Sequence, residues 1–326
     1  MSGNLGVAVV GYGMGSHHCN LIGKTPGLEL LAVCEMDAER LKRAQSEHPG
    51  VTGYQDFAEV LKCPSIGLVV IATPRHTHKD LVIQAMDAGK NVVVEKVMCV
   101  STSQADEMIA ARDRNGVMLS VFHNRRWDTD FLSLKAVLEA GLLGEVFLVE
   151  SSVFTDYVPR GWRREATLGG GLIYDWGAHM IDQALQLNGT DPSSLWCNII
   201  TRRDTDTEAH FRCSMKFASG QTYEVEVCSI SKIRKPRWHV FGDKGTLTRE
   251  WFEADEKMKL RTRLGDMEGE VLLDPVKGDW AQFYGNISDV LHGKAELAVK
   301  PEEARRGIRV IEAALRSNKT RQEVVL

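Results

Sequence analysis

Asp175, His179 and Asp182 fall four and three residues apart in the stretch GGGLIYDWGAHMID, residues Gly169–Asp182. On an α-helix, side chains at these spacings share one face. A histidine and a carboxylate four apart can supply half of a metal site. The same pair can move a proton, because an imidazole titrates near neutrality and a carboxylate can orient it. The three can also be a hydrogen-bonded patch of surface, and the residues alone leave the choice open.

A second stretch points to a ligand. In VAVVGYGMGSHHC, Gly11 and Gly13 match the first two glycines of the dinucleotide fingerprint GxGxxG. Gly11 would permit the tight turn, and Gly13 would let a pyrophosphate approach the backbone at a helix N-terminus. The third fingerprint position is Ser16, a departure where close helix–strand packing is expected. Glu35 stands at the end of LELLAVCEMD, roughly 20 residues further on, where a carboxylate accepts hydrogen bonds from ribose hydroxyls and repels an extra phosphate. NAD is therefore the expected cofactor; nearby Arg40 and Lys42 keep NADP as the alternative.

The elements that would position these residues follow from periodicity. Val7–Val10, Leu28–Cys34, Ile66–Ile71, Val92–Val94 and Val117–Phe122 are short apolar runs rich in β-branched residues, separated by amphipathic helical segments that end at glycines such as Gly89 and Gly116. Strands alternating with helices predict a parallel, doubly wound sheet, with ligands at the carboxyl ends of the strands. After Phe122 the alternation stops. GEVFLVESSVFTD, QTYEVEVCS, RWHVFG and GTLTREWF alternate with period two, joined by turns at Ser219-Gly220 and Gly242-Asp243. That pattern predicts a large, open, mostly antiparallel sheet. Two helices, near residues 280–291 and 301–317, close the chain. The fold class is α/β, with an N-terminal Rossmann domain at 1–123 and a C-terminal α/β domain at 124–326. The exposed sheet face predicts a homodimer or homotetramer built through it.

Composition narrows the function. With 43% hydrophobic and 26% charged residues and a net charge of -4, the chain reads as a soluble globular protein without a general nucleic-acid surface. Its seven cysteines form no CxxC pair and several lie in apolar runs, which predicts a reducing cytoplasm. No cationic leader or long apolar run is visible, so neither secretion nor a membrane span is expected.

The order of GYGMGS, ATPRHTH, VVVEKV, HNRRWD, GW with RR, GGGLIYDWGAHMID, FGDKGTL and AALRSNK over nearly the whole chain resembles the Gfo/Idh/MocA oxidoreductases, relatives of glucose-fructose oxidoreductase and inositol dehydrogenase. The resemblance implies an NAD(P)-linked oxidation or reduction of a sugar, cyclitol or related polyol. Lys96 matches the lysine of the family's EKP motif, with Val97 in place of proline, and Asp175 and His179 match its DxGxH pair. These three form the implied catalytic set, with Asp182 left as structural. The cofactor set so implied is Gly11, Gly13, Met14, Glu35, Thr73, Pro74, His76, Glu95, Lys96, Trp162 and Arg163; His78 is expected to help begin a helix.

Hydride transfer from a secondary alcohol requires a proton to leave the same hydroxyl. Lys96 and His179 are the candidates to take it, with Asp175 orienting them. Arg125 and Tyr157, basic and aromatic, suit a polyhydroxylated or acidic substrate and complete a substrate set with Lys96, Asp175 and His179. The bland alternative for this loop is an interdomain hinge with solvated arginines. No metal is expected. Two other functions remain open at this stage: a glycosidase or lyase that oxidises its sugar transiently and recycles NAD, and a noncatalytic dinucleotide-binding regulator.

Overall fold

The computed structural model describes residues 3–326; Met1 and Ser2, which begin the stretch read above for a leader, lie outside them. Its contacts divide the chain into two units. One holds the residues up to His123 together with Trp280–Arg305, and the other holds Asn124–Asp279 and Arg306–Leu326.

In the first unit, strands β1 (Leu5–Val10), β2 (Leu28–Cys34), β3 (Thr52–Tyr54), β4 (Ile66–Ile71), β5 (Asn91–Val94) and β6 (Leu119–Val121) form a parallel sheet in the order β3-β2-β1-β4-β5-β6. This is the doubly wound arrangement whose order reverses beside β1, where such folds bind dinucleotides. Val7, Val9, Val69 and Val93 are wholly buried, as expected of strands covered on both faces. Helices α1 (Tyr12–Ile22), α2 (Ala38–Glu47), α3 (Phe57–Lys62), α4 (His78–Asp87) and α5 (Thr102–Asn115) make the connections. The Asp37 side chain caps α2 by accepting from the backbone N–H groups of Glu39 and Arg40 at 3.0 and 2.9 Å, an arrangement worth about 1 kcal/mol. Gly116, at φ 62°, stops α5. Strand β3 is the one that periodicity did not show, being three residues long and only partly buried.

The second unit opens with α6 (Thr129–Glu139) and builds a nine-stranded sheet. Its strands are β7 (Val146–Phe154), β8 (Ser194–Thr201), β9 (Glu208–Lys216), β10 (Thr222–Cys228), β11 (Trp238–Gly242), β12 (Gly245–Arg249), β13 (Met258–Leu264), β14 (Met267–Leu273) and β15 (Val324–Val325). The order is β14-β13-β12-β11-β7-β10-β9-β8-β15, and β7–β10 is the parallel pair in an otherwise antiparallel sheet. Helix α7 (Ala178–Asn188) lies between β7 and β8 in the chain. The face carrying Val149, Phe211, Cys213, Val225 and Val240 is buried.

A single span from 124 to 326 does not describe these contacts. Helix α8 (Ala281–Leu291) returns to the first unit, and the division then falls within α9 (Pro301–Thr320). The reason is packing. Phe283 and Tyr284 are buried, and Phe283 meets Phe122 edge to face at 4.9 Å between ring centroids. Ser120 Oγ, at the β6 end of the sheet, donates to the Val299 carbonyl at 2.9 Å. Among the described residues no helix is long and apolar enough to cross a membrane.

Candidate active site

In the first unit the expected cofactor residues lie at one edge of the sheet, after β1, β2, β4 and β5. Gly11 turns the chain at φ 89°, where an added Cβ would stand 2.8 Å from the Ala72 carbonyl oxygen. Gly13 is exposed, and no atom lies within 4 Å of where its Cβ would be. Next to it Met14 is exposed as well. The tight packing expected of position 16 occurs at Gly15 instead, whose Cβ would meet Val9 Cγ1 at 2.8 Å. Ser16 donates its hydroxyl to the Gly13 carbonyl at 3.2 Å. A one-residue shift along α1 thus reconciles serine with the fingerprint's packing demand.

Glu35 is nearly buried, and its carboxylate accepts from the backbone N–H of Tyr12 at 2.8 Å and of Asp37 at 3.0 Å. Arg40 approaches it at 3.8 Å. The carboxylate is therefore fixed beside the first turn of α1. Here an open glycine, helix N–H groups and an acid at the end of β2 fit a dinucleotide: pyrophosphate over Gly13, ribose toward Glu35.

After β4, Thr73 Oγ1 and Thr77 Oγ1 lie 2.7 Å apart, Pro74 precedes a 3₁₀ turn, and His76 in that turn is exposed. His78 begins α4 and is wholly buried. Its Nδ1 lies 3.0 Å from the Val97 carbonyl and its Nε2 2.9 Å from the Thr73 carbonyl. Burial lowers its proton affinity, against the two carbonyls, which raise it. The ring ties the loop after β4 to the loop after β5.

That second loop carries Glu95 and Lys96. Glu95 is buried, Lys96 is partly exposed, and the Lys96–Val97 peptide is cis. Burial pushes the Glu95 carboxyl up, but the hydrogen bond from His18 and the adjacent charges outweigh it and hold the group below the usual carboxylate range. An ionised carboxylate thus sits one residue from the lysine.

In the second unit Asp175 lies not in an α-helix but in a π-helical turn, Ile173–Gly177, which leads into α7 with His179 in its first turn. The wider turn still returns residues four apart to the same side. Single π turns inside α-helices recur at functional sites. His179 is buried and Asp175 partly so. Asp182 is buried in a two-pronged ion pair with Arg126, at 2.8 and 2.6 Å; it anchors α7 to the 3₁₀ turn Asn124–Trp127. Asp182 is thereby occupied structurally, and the shared face of three reduces to Asp175 and His179.

Arg125 is less available than its sequence position suggests. Its guanidinium lies 4.3 Å from the Trp176 ring centroid and 2.7 Å from Asp128, while Trp176 stacks on Phe252 at 5.6 Å. Tyr157 is partly buried, its backbone N–H bonded to the Ser229 carbonyl. Trp162 and Arg163 share the 3₁₀ turn Gly161–Arg164, with the guanidinium 4.7 Å from its neighbour's ring. Trp176 and Phe252 escaped notice in the sequence because only the first stands in a recognised motif. Among the described residues no three His, Cys, Asp or Glu side chains cluster as a metal site would need.

Known proteins share this architecture. Residues 5–123 match the family model described as "Oxidoreductase family, NAD-binding Rossmann fold", and residues 131–248 match the "GFO/IDH/MocA C-terminal domain". The uncharacterized oxidoreductase YdgJ of Escherichia coli is 33% identical, each chain being covered in full. IolW of Bacillus subtilis, named a scyllo-inositol 2-dehydrogenase (NADP(+)), is 27% identical over 98% of this chain and 95% of its own. Among solved structures, the oxidoreductase yvaA of Bacillus subtilis superposes with a TM-score of 0.94 at 27% identity, covering 100% of this chain and 99% of its own. An NAD-binding protein from Listeria innocua does so at 0.92 and 31% identity, covering 99% and 97%.

Proposed function

The chain belongs to the GFO/IDH/MocA oxidoreductases and carries their NAD-binding Rossmann domain, and we propose that it transfers a hydride between NAD and a secondary hydroxyl or ketone of a sugar, cyclitol or related polyol. The observation that carries this reading is the arrangement of one sheet edge. There an open glycine follows β1, a fixed carboxylate follows β2, and an ammonium group follows β5 beside an ionised Glu95.

When bound, NAD supplies the hydride acceptor for the carbinol carbon. The chain's own residues supply the rest. Gly11, Gly13 and Met14 form the turn against which the pyrophosphate lies, and Glu35 receives the ribose. Thr73, Pro74, His76, Glu95, Trp162 and Arg163 complete the proposed cofactor contacts. Lys96 Nζ donates a hydrogen bond that stabilises the oxygen as its proton leaves. His179 acts as the general base for oxidation and the general acid for reduction, with Asp175 one turn earlier to orient it, and Arg125 and Tyr157 contact the substrate. The inositol named for IolW supports a polyol. Its NADP(+), with Arg40 near Glu35 here, keeps the phosphorylated cofactor as the runner-up to NAD.

The test is a panel of inositols, sugars, polyols and sugar acids with NAD and NADP, read by reduced-nicotinamide absorbance. One class should give turnover, and Lys96→Ala and His179→Ala should each lower kcat by roughly 10²–10⁴. Parental rates in either variant would remove that residue from the mechanism. The partly exposed sheet face, with Trp196, Ile200 and Glu150 on it, supports assembly into a homodimer or homotetramer, for which a light-scattering mass of one chain is the opposing result. All seven cysteines are free thiols, which supports a reducing, cytoplasmic setting.

A further inference from the structure

Three side chains from distant parts of the first unit meet beneath Lys96. Tyr284 Oη, from α8, lies 2.6 Å from His18 Nδ1 on α1. His18 Nε2 lies 2.9 Å from Glu95 Oε1, and Glu95 Oε2 accepts the backbone N–H of Lys96 at 2.9 Å. Tyr284 and His18 are wholly buried and Glu95 nearly so.

One donor can be assigned. An ionised carboxylate only accepts, so His18 Nε2 carries the proton directed at Glu95. Burial and the nearby Glu95 charge raise the proton affinity of the Tyr284 phenol, so it stays protonated, donating to Nδ1 of a neutral ring or accepting from a charged one. The chain runs from phenol to imidazole to carboxylate and ends on the peptide that bears the lysine. Apolar neighbours would fill this space at less cost. His18 packs against Phe122 at 4.4 Å between ring centroids, and a buried charge is often less stabilising than well-packed hydrocarbon of the same volume. Here the charge stands one residue from the ammonium group proposed to stabilise the reacting oxygen.

We infer that Tyr284, His18 and Glu95 are positioning residues for Lys96: a buried hydrogen-bonded relay that fixes its backbone and keeps a negative charge beside its ammonium group. The inference rests on the reading of Lys96 as the group that stabilises the reacting oxygen. The other titratable groups that act on Glu95 or on its partners are His17, His78 and Cys19, and their presence in every variant below leaves the relay as the thing changed.

The test uses the full, cofactor-free protein carrying ¹³Cε-lysine and ¹⁵N-histidine. The Lys96 resonance is identified by its loss in Lys96→Arg, and that of His18 by its loss in His18→Gln. In Glu95→Gln the Lys96 titration midpoint should fall by about one pH unit, because removing a negative neighbour favours the neutral amine. In Tyr284→Phe the His18 ring ¹⁵N shifts should change as Nδ1 loses its partner, and the Lys96 midpoint should move by a smaller amount. A thermal melt checks that each variant folds. An unmoved Lys96 midpoint in folded Glu95→Gln overturns the inference. If that variant does not fold, unchanged His18 ring shifts and an unchanged Lys96 midpoint in Tyr284→Phe overturn it. The outcome is separate from that of the functional reading, which stands or falls on the turnover of Lys96→Ala.

Discussion

Gly13 and the pair Gly170 and Gly171 stand in glycine clusters that look alike in the sequence, and they use the absence of a side chain in opposite ways. Around Gly13 the space a Cβ would take is empty, so the turn remains open toward solvent. At Gly170 that space is claimed by the carbonyl oxygens of Arg163 and Glu165, each 2.7 Å away, and at Gly171 by Glu208 Oε2 at 2.0 Å. Glu208 uses the room to accept the Leu172 N–H at 2.6 Å, pinning the entrance of the π turn to β9. Gly177 is similar to the second cluster: its Cβ would meet Phe211 Cζ at 3.0 Å, so it serves helix-on-sheet packing. The space at Gly13 is left open, while that at Gly170 and Gly171 is already filled by the chain.

Substitutions can break that contrast. Gly171→Ala should have the largest effect, about 3 kcal/mol of lost stability in urea unfolding, because the residue sits at φ 105° and its new methyl group would displace Glu208. Adding Glu208→Ala should recover only the steric part, leaving the backbone strain. Gly13→Ala should unfold at the parental urea concentration, alanine being welcome in a first helical turn. Its dinucleotide affinity should nonetheless fall tenfold or more, a loss of about 1.4 kcal/mol, as measured by NADH fluorescence titration. Equal affinity would mean that the open space is not where the cofactor lies. Gly15→Ala should be the mildest, costing about 1 kcal/mol through contact with Val9. Val9→Ala in the same chain should cost less than the sum of the two single changes. Strict additivity would show that α1 is not packed as tightly on β1 as described.

Much of the first unit was legible because its signals are local. Apolar β-branched runs mark buried parallel strands, Gly89 and Gly116 stop helices, and Glu35 stands where the second strand must end. What was not legible depends on distance along the chain. An amphipathic segment such as α8 shows that it will bury one face, but nothing in its spacing says which core receives it. His18 and Tyr284 lie 266 residues apart, and each reads alone as an ordinary core side chain. The π turn at Asp175 escaped for another reason. Residues four apart come back to one side whether the turn is α or π, so spacing could not tell them apart. Arg125 was read as a substrate contact, and only the fold reveals Trp176 and Phe252 beneath its guanidinium.

The return of Trp280–Arg305 to the first unit also fixes an order of events during synthesis. When the ribosome has made β6, Ser120 lacks the Val299 carbonyl, which lies 179 residues further along the chain. Phe122 lacks Phe283, and His18 lacks Tyr284. Domains commonly fold as units from the N-terminus as they emerge. Here the first unit to begin is held incomplete, with an apolar flank waiting, while the whole antiparallel sheet strand by strand leaves the exit tunnel. A fragment ending at His123 would carry that unfinished flank permanently, and the buried support proposed for Lys96 would never be assembled.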